Sequence, residues 1–310
     1  MEIPTQSVAV TELDFDAIKA SLIDYFKTQD SPFKDWDYNG SGLNLLIDVL
    51  AHNTHYNAMT AHFALNEAFL DSAQIRGNIV TRAKLLGYIP RSVLAPRAIV
   101  NITVDVSGEN SSNIPSTLTL PRGAKLTTNV DGRNYRYVVL NEQTAVLSPS
   151  STFVFDNVTI VEGTRKKLLY RVDNDIENQK FQLSDDDADT STLRVLIQAN
   201  ELSTSYDNYT QFESLLNVDS SSRVYYIQEN SNEFYEIYFG DGVTGKKPIN
   251  NNIVTLDYIF TNGEDSNGAN LFSMVDNIGG YSNVTINTLA KSQGGTEKET
   301  NESIRFNAPL

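Results

Sequence analysis

The stretch LNLLIDVLAHNTHYNAMTAHFALNEAFL, residues 43–70, decides the fold of the N-terminal region. Its apolar side chains recur at helical spacing on two sides, with Leu45, Val49, Tyr56 and Phe63 on one and Leu46, Leu50 and Ala64 on the other. Helices that are apolar on more than one side are usually buried in bundles. Residues 43–70 therefore predict a long helix that packs against other helices.

A shorter amphipathic helix is predicted before this stretch, over residues 14–27. Its apolar residues recur at i, i+3, i+7 and i+11 and are Phe15, Ile18, Leu22 and Phe26. One apolar stripe of this kind needs a partner surface. The partner is either another chain, which is our hypothesis, or the long helix of the same chain, because both uses require the same periodicity.

Turn formers and caps delimit the helices. Residues 35–40 are rich in turn formers, and Ser41 is placed to cap the long helix. A third helix is predicted over residues 72–86, closed by Gly87 with Pro90 just beyond it. Residues 1–95 therefore predict a helical region of three helices that form a small bundle.

After Pro96 the hydrophobic pattern changes to period two. Short alternating strands separated by Gly, Asn, Asp and Ser are typical of antiparallel sheet. The predicted fold class is therefore α+β, a helical bundle segment followed by mainly antiparallel β-rich domains. The alternating segments are residues 99–106, 135–140, 153–161, 193–197, 224–228, 234–239 and 253–261.

A polar run at residues 184–192 suggests a division of the β-rich part. We therefore expect a first β-rich domain at residues 96–185 and a second β-rich region at 186–290. Residues 291–310 are polar and short of apolar side chains until Ile304 and Phe306. We interpret this last stretch as a connector.

The composition describes a folded, acidic chain without cysteine. Its 310 residues include 24 Lys and Arg against 39 Asp and Glu, a formal net charge of -15. Such a chain repels phosphate backbones and anionic membranes, so neither nucleic acid nor a membrane is an expected partner. The absence of cysteine excludes disulfides and thiolate chemistry. No secretory signal or run of ~20 apolar residues is present.

The histidines are a possible metal site, because His52, His55 and His62 occupy one arc of the long helix beside Asp48. However, helical zinc sites usually pair histidines at i, i+4 with a glutamate between them, and that spacing is absent. Hydrogen bonding within the bundle explains these residues better. We therefore expect no metal ligand here.

Two further patterns resemble ligand sites. Residues 240–245, GDGVTG, satisfy G-x-G-x-x-G, but a loop follows in place of the helix that a dinucleotide site requires. Asp185, Asp187 and Asp189 have the first spacings of a calcium loop but lack its later glycine and glutamate. We interpret both as loops, and the sequence predicts no cofactor and no catalytic residue.

Three groups of motifs carry a family resemblance. The first runs from GSGLN (40–44) through LIDVLA (46–51) and NEAFL (66–70) to LGYIP (86–90). The second is FGDG (239–242) with TNG (261–263) and NG (267–268), and the third is GG (294–295), ESIR (302–305) and AP (308–309). Together they resemble the baseplate wedge subunits of T4-like contractile-tailed phages, in the family that includes the baseplate J-like proteins. The signature residues, for which we expect structural roles, are Ser41, Leu46, Asp48, Glu67, Gly87, Tyr88, Pro90, Gly240, Asp241 and Gly242.

The resemblance implies a structural subunit and not an enzyme. It implies assembly with a second copy and other wedge proteins near the central hub, including a helical-bundle partner and a sheath-initiator-type protein. It also implies that the helical region of residues 1–95 contributes to a bundle between subunits. It implies a place in the tail baseplate of the virion, assembly in the host cytoplasm, and transmission of the change that starts sheath contraction. It also implies that residues 291–310 lead to a C-terminal half that this chain lacks.

Three other interpretations of the sequence stay open beside the T4-like wedge subunit. Tailocins and type VI secretion baseplates contain related wedge proteins, and the sequence does not separate them. The 15 tyrosines and the polar β-loops also suit a receptor- or carbohydrate-binding tail module. The histidine arc would suit a metal hydrolase. Neither of the last two explains the long helical signature.

Overall fold

The computed structural model describes residues 14–28, 41–110, 113–214 and 218–310. The chain divides into two compact units. A helical unit comprises Met1–Tyr88 with Asn301–Leu310, and a β-rich unit comprises Ile89–Thr300. The predicted α+β class is confirmed. The turn predicted at residues 35–40 lies outside the described residues.

Four helices form the described part of the helical unit: α1 (Phe15–Thr28), α2 (Gly42–Asn66), α3 (Arg76–Leu85) and α4 (Asn301–Asn307). Ser41 caps α2, because its hydroxyl accepts a hydrogen bond from the backbone N–H of Asn44 at 3.0 Å. Beyond α3, Gly87 adopts a φ of 82°. The left-handed region favours glycine, so this residue ends the helical run as its sequence position predicts.

The chain end differs from the predicted connector. Residues 284–293 form a strand, and α4 packs against α3. Ile304 is fully buried and Ala308 almost so, in a cluster with Ile79 and Ala83. Two apolar residues in a polar segment gave too short a pattern to predict a helix, and their burial depends on α3, more than two hundred residues earlier in the sequence.

Fifteen strands form the β-rich unit in its described residues. The first six are β1 (Arg97–Asp105), β2 (Thr117–Leu120), β3 (Lys125–Val130), β4 (Arg133–Val139), β5 (Gln143–Val146) and β6 (Thr152–Glu162). The next seven are β7 (Thr164–Arg171), β8 (Phe181–Gln182), β9 (Ala188–Gln198), β10 (Tyr206–Gln211), β11 (Val224–Glu229), β12 (Tyr235–Phe239) and β13 (Ile253–Phe260). After a 3-10 turn at Gly263–Ser266 come β14 (Ser273–Met274) and β15 (Val284–Gln293).

The strands form two large sheets and one small one. The first sheet has the order β14-β3-β4-β6-β1-β15, and the second has the order β7-β13-β9-β10-β11-β12-β8. Strands β2 and β5 pair separately. All pairs are antiparallel except β10 with β11. Each large sheet buries its own apolar core, the first around Ile102, Tyr137 and Phe155 and the second around Val195, Ile237 and Leu256.

The sheets do not follow the predicted boundary at residue 185. The second sheet already begins at Thr164, with β7, and the first sheet is completed only by β14 and β15. The second sheet is thus an insertion between β6 and β14. Alternating hydrophobicity marks where strands run, but it does not reveal their partners. The pairing of Val104 with Val284 was therefore not predictable from the local pattern.

Candidate interaction surface

Helix α2 carries an exposed row of large side chains. The row residues are spaced alternately four and three apart, as in the seam of a coiled coil, and are Leu45, Val49, His52, Tyr56, Met59 and Phe63. The five apolar members are between 51% and 65% exposed. Scattered surface leucines are ordinary, but a contiguous apolar row marks an interaction surface. We call these six residues the α2 row.

The same helix has a different, buried side. Asn44, Ile47, Ala51 and Ala58 are its buried residues and lie on the side of the helix away from the α2 row. Leu46 and Leu50, which the sequence placed on a second apolar side, are also at least half exposed. Of the predicted apolar surfaces of α2, one side is therefore buried within the chain, and a large apolar surface stays exposed.

Helix α1 covers part of α2. Ile18 is buried, the Phe15 ring lies edge-on to His52 with centroids 6.4 Å apart, and Lys19 forms an ion pair with Asp48 at 2.6 Å. Phe15, Leu22 and Phe26 stay half-buried. The stripe of α1 is therefore used at least in part within the chain, as the alternative interpretation required. Phe15, one of its half-exposed members, borders the α2 row at His52.

The α2 row lies on an almost uncharged helix. Asp48 is the single Asp, Glu, Lys or Arg of α2, and Lys19 neutralises it. The chain as a whole carries a charge of -15. Acidic chains repel one another, but this helix offers a surface on which the local repulsion is small.

Glu67, a signature residue just beyond α2, connects α2 to the start of α3. Its carboxylate accepts hydrogen bonds from the backbone N–H of Gln74 at 2.8 Å and from the side chain of Asn78 at 2.8 Å. A longer bond comes from the Ile75 N–H. Helix α3 has no side-chain cap at Ile75, and Glu67 instead binds the two residues that lead into the helix and the side chain of Asn78 in its first turn. The residue fixes where α3 begins relative to α2.

Replacing Glu67 with Ala should lower the free energy of unfolding of the helical unit by about 2 kcal/mol, because buried donors lose their acceptor. Glu67→Gln, which keeps one oxygen, should cost less. Burial alone would raise the pKa of Glu67, but the bonds from Asn78, Gln74 and Ile75 lower it overall. The stabilisation is therefore present above the unfolded pKa of about 4.3 and is lost as the pH falls through the lower folded value. Urea unfolding at pH 7 and pH 3 measures both effects; an equal loss at the two pH values would contradict this role.

The signature GDG at residues 240–242 forms a turn. The Asp241 carboxylate accepts hydrogen bonds from the N–H groups of Val243 at 2.9 Å and Thr244 at 3.1 Å. These bonds lower the pKa of Asp241. After Gly245 the chain runs through a loop into β13, and no helix begins there. The interpretation of GDGVTG as a turn therefore agrees with the geometry, which lacks the helix N-terminus that holds a pyrophosphate.

The acidic and histidine patterns do not converge. Asp185 contacts Lys166 and the Tyr258 hydroxyl, whereas Asp189 is buried and accepts a bond from the Ala95 N–H at 3.1 Å. His52 packs against aromatic rings. Within the four ranges that the structure describes, no three His, Asp or Glu side chains are placed to hold a metal ion. In the same ranges, no helix is long and apolar enough to cross a membrane.

Three further signature motifs, TNG, NG and GG, lie where the two large sheets join. Glu162, fully buried at the end of β6, accepts bonds from the Thr261 hydroxyl at 2.6 Å and the Asn262 side chain at 2.7 Å. Asn267 and Gly295 exchange two bonds of 3.0 Å through the Asn267 amide. TNG, NG and GG thus hold the chain where it leaves and re-enters the first sheet. Sequence reasoning missed Glu162, because nothing local distinguishes it from other strand-end glutamates.

The comparisons with known proteins match these units. A family model described as the helical domain of gp6-like baseplate wedge proteins matches residues 14–88, which contain α1 to α3. A second, described as the third domain of bacteriophage baseplate wedge protein gp6, matches residues 164–265, which contain the second sheet. The baseplate wedge protein gp6 of Enterobacteria phage T4 is 28% identical over 321 aligned residues, which cover 94% of this chain.

The chain is similar over most of its length to the gp6-like baseplate wedge proteins of phages. The predicted relationship to T4-like wedge subunits is thereby confirmed. The chain spans about half the length of the curated relative that it matches, 46%. The boundaries of the second gp6 model also support the insertion at residue 164 in preference to a boundary at 185.

Part of the support for a receptor-binding module is lost in this fold. The interpretation was based on the fifteen tyrosines and the polar β-loops, but five of the tyrosines, Tyr137, Tyr209, Tyr225, Tyr235 and Tyr258, are buried in the two cores. Burial raises the pKa of Tyr225 to about 12. These tyrosines serve packing and internal hydrogen bonding, and they offer no aromatic surface to a receptor.

Proposed function

We propose that the chain is a structural subunit of the baseplate wedge of a contractile phage tail. In this proposal it works in the virion, at the tail baseplate, after assembly in the host cytoplasm. The observation that carries the proposal is the α2 row, an exposed apolar seam on the unit that matches the gp6-like helical domain. A protein built to be part of an assembly exposes such a seam, and an isolated soluble protein rarely does.

The α2 row and the half-exposed part of the α1 stripe would form the inter-subunit surface. In this proposal Phe15, Leu22 and Phe26 remain interface residues and lie at the border of the contact. The α2 row forms the centre of the contact. Burying the exposed half of one such side chain contributes about 1 kcal/mol, so a row of them contributes several. That is enough to matter against the cost of association.

The partners proposed are a second copy of the chain and other wedge proteins, among them a helical-bundle partner and a sheath-initiator-type protein, close to the central hub. The weak charge of α2 supports the second copy, because two chains of charge -15 meet there with little local repulsion. The seam spacing supports a helical partner, since side chains at alternating intervals of four and three accept another helix.

The role includes transmission of the conformational change that starts sheath contraction. A subunit that transmits movement needs partner surfaces and a body that does not deform between them. The α2 row supplies a candidate for the first requirement. The two joined sheets of the β-rich unit supply a candidate for the second. The role is structural and needs no catalytic group or cofactor.

A wedge subunit of a tailocin or of a type VI secretion-like baseplate is the second candidate, because a helical bundle of this kind would serve those machines equally. The T4-like tail is preferred, since the curated relative is a T4 wedge protein. A receptor-binding role has less support, as five of the fifteen tyrosines that suggested it are buried.

Reconstitution tests the assembly role. The chain is mixed with the other wedge proteins of its own phage, and native mass spectrometry records the complexes. We expect a complex that contains this chain together with at least one other wedge protein. A chain that stays monomeric, alone and in every mixture, would contradict the proposal.

A further inference from the structure

A group of three charges, two of them buried, joins the two large sheets. Asp257, on β13 of the second sheet, lies between Arg165 on β7 and Arg122 in the turn after β2. Arg165 binds the Asp257 carboxylate through two nitrogens, at 2.8 and 2.7 Å, and the Arg122 Nε lies 3.4 Å from the same carboxylate. The side chains of Asp257 and Arg122 are 3% and 7% exposed. We call these three residues the Arg-Asp-Arg clamp.

The remaining donors of the clamp cross from one sheet to the other. Arg122 donates to the carbonyl oxygen of Leu140, on its own side, and to that of Thr192 in the second sheet at 3.0 Å. Arg165 in turn donates to the backbone carbonyl of Arg122 at 2.7 Å. Arg122 thus bonds to backbone carbonyls on both sides of the junction, and Arg165 bonds both to Asp257 in the second sheet and to the Arg122 carbonyl on the other side. The planar guanidinium groups fix the direction of these bonds.

The surroundings make the clamp sensitive to the loss of one member. Burial alone would raise the pKa of Asp257, but the hydrogen bonds from Arg165 and the charge of Arg122 lower it, so the carboxylate stays ionised. Removing that charge would leave two arginines close together, with the Arg122 guanidinium buried and 7% exposed. An uncompensated buried charge costs far more than an intact pair contributes, so the site would open to admit water.

The clamp is not surrounded by an extensive apolar contact. Ala95, Val138, Val161 and Ile259 form the small cluster at the junction, whereas each sheet has a larger core of its own. Small apolar contacts between two well-packed bodies allow relative movement by default. Directional bonds at such a junction therefore decide whether the sheets move independently.

We propose that the Arg-Asp-Arg clamp locks the second sheet onto the first, so that the β-rich unit moves as one rigid body. The lock acts within this unit alone, whatever the assembly role of the chain. It assigns to Arg122, Asp257 and Arg165 a positioning function that none of the motifs in the sequence indicates.

Distance measurements between the sheets test the proposal on the full chain. Because the chain has no cysteine, Thr285→Cys on β15 and Leu202→Cys after β9 give the two spin labels. Both positions are exposed, Leu202 by 92%. Pulsed electron paramagnetic resonance of the otherwise unchanged chain should give one narrow distance distribution. A broad distribution in that chain overturns the proposal without any further variant.

Two variants then address the clamp itself. Asp257→Asn should broaden the distribution about twofold, and Arg122→Lys, which keeps the charge but loses the fork of donors, should broaden it less. Hydrogen exchange must show that both sheet cores remain protected; a variant that has lost this protection is set aside, and the other decides. Asp276→Asn is the control, because its ion pair with Lys125 is long, 4.0 Å, and exposed. Distributions as narrow as that of the control in every folded clamp variant overturn the proposal.

Discussion

The double substitution Tyr56→Asp and Phe63→Asp is expected to leave the chain folded and to abolish its association with wedge partners. Both side chains are just over half exposed, at 55% and 51%, so the monomer loses little packing. In an assembled bundle, each new carboxylate would be buried against apolar side chains at a cost of about 2 kcal/mol or more. The two together should weaken association roughly 1,000-fold.

A matched control separates this effect from a general weakening of α2. Asn57→Asp with Ala61→Asp also places two carboxylates on exposed positions of the helix, but on a side away from the α2 row. Native mass spectrometry of the reconstituted wedge, with circular dichroism to confirm helix content, compares the pairs. Loss of assembly in both pairs, or in neither, would contradict the assignment of the interface to the α2 row.

The second large effect is expected at Gly163, where the chain passes from the first sheet into the second. Its φ is 122°, and a Cβ added there would lie 2.1 Å from the backbone oxygen of Phe260. A carbonyl oxygen held in a strand cannot turn aside. Gly163→Ala should therefore lower the free energy of unfolding of the β-rich unit by about 4 kcal/mol or more, which is a large part of the stability of a typical domain.

Gly132→Ala provides the control for the backbone angle. Gly132 also has a positive φ, 82°, but a Cβ there meets nothing within 4 Å. That variant should cost only about 1 kcal/mol, the ordinary penalty of a left-handed alanine. Guanidinium unfolding followed by tyrosine fluorescence gives both values. Similar losses in the two variants would show that the close approach at Gly163 is not a constraint.

The helical part of the fold was predictable because its signals are local. The stripe of α1, the cap at Ser41 and the closing glycine at position 87 each act within a few residues of the helix that they define. The use of the α1 stripe was not predictable, because packing on α2 and packing on another chain require the same spacing. Only the placement of Ile18 and Phe15 against α2 distinguishes them.

The β-rich part was predictable only in part, as single strands and not as sheets. Period-two patterns located seven of the fifteen strands in the described residues, and the pairing of β1 with β15 joins residues far apart in the sequence. The contacts at the junction of the two sheets also join residues that are far apart in the sequence. Asp257 and Arg122 are ordinary charged residues of a strand and a turn until the fold brings them within 3.4 Å. Glu162 gains its three bonds in the same way.

Immunogold electron microscopy of the phage particles tests most directly whether this chain is a subunit of the tail baseplate. An antibody raised against the β-rich unit is applied to intact particles and to particles disrupted enough to expose buried subunits. We expect gold at the distal end of the contractile tail, in intact or in disrupted particles. Absence of label from both, with an antibody that binds the purified chain, would contradict the account.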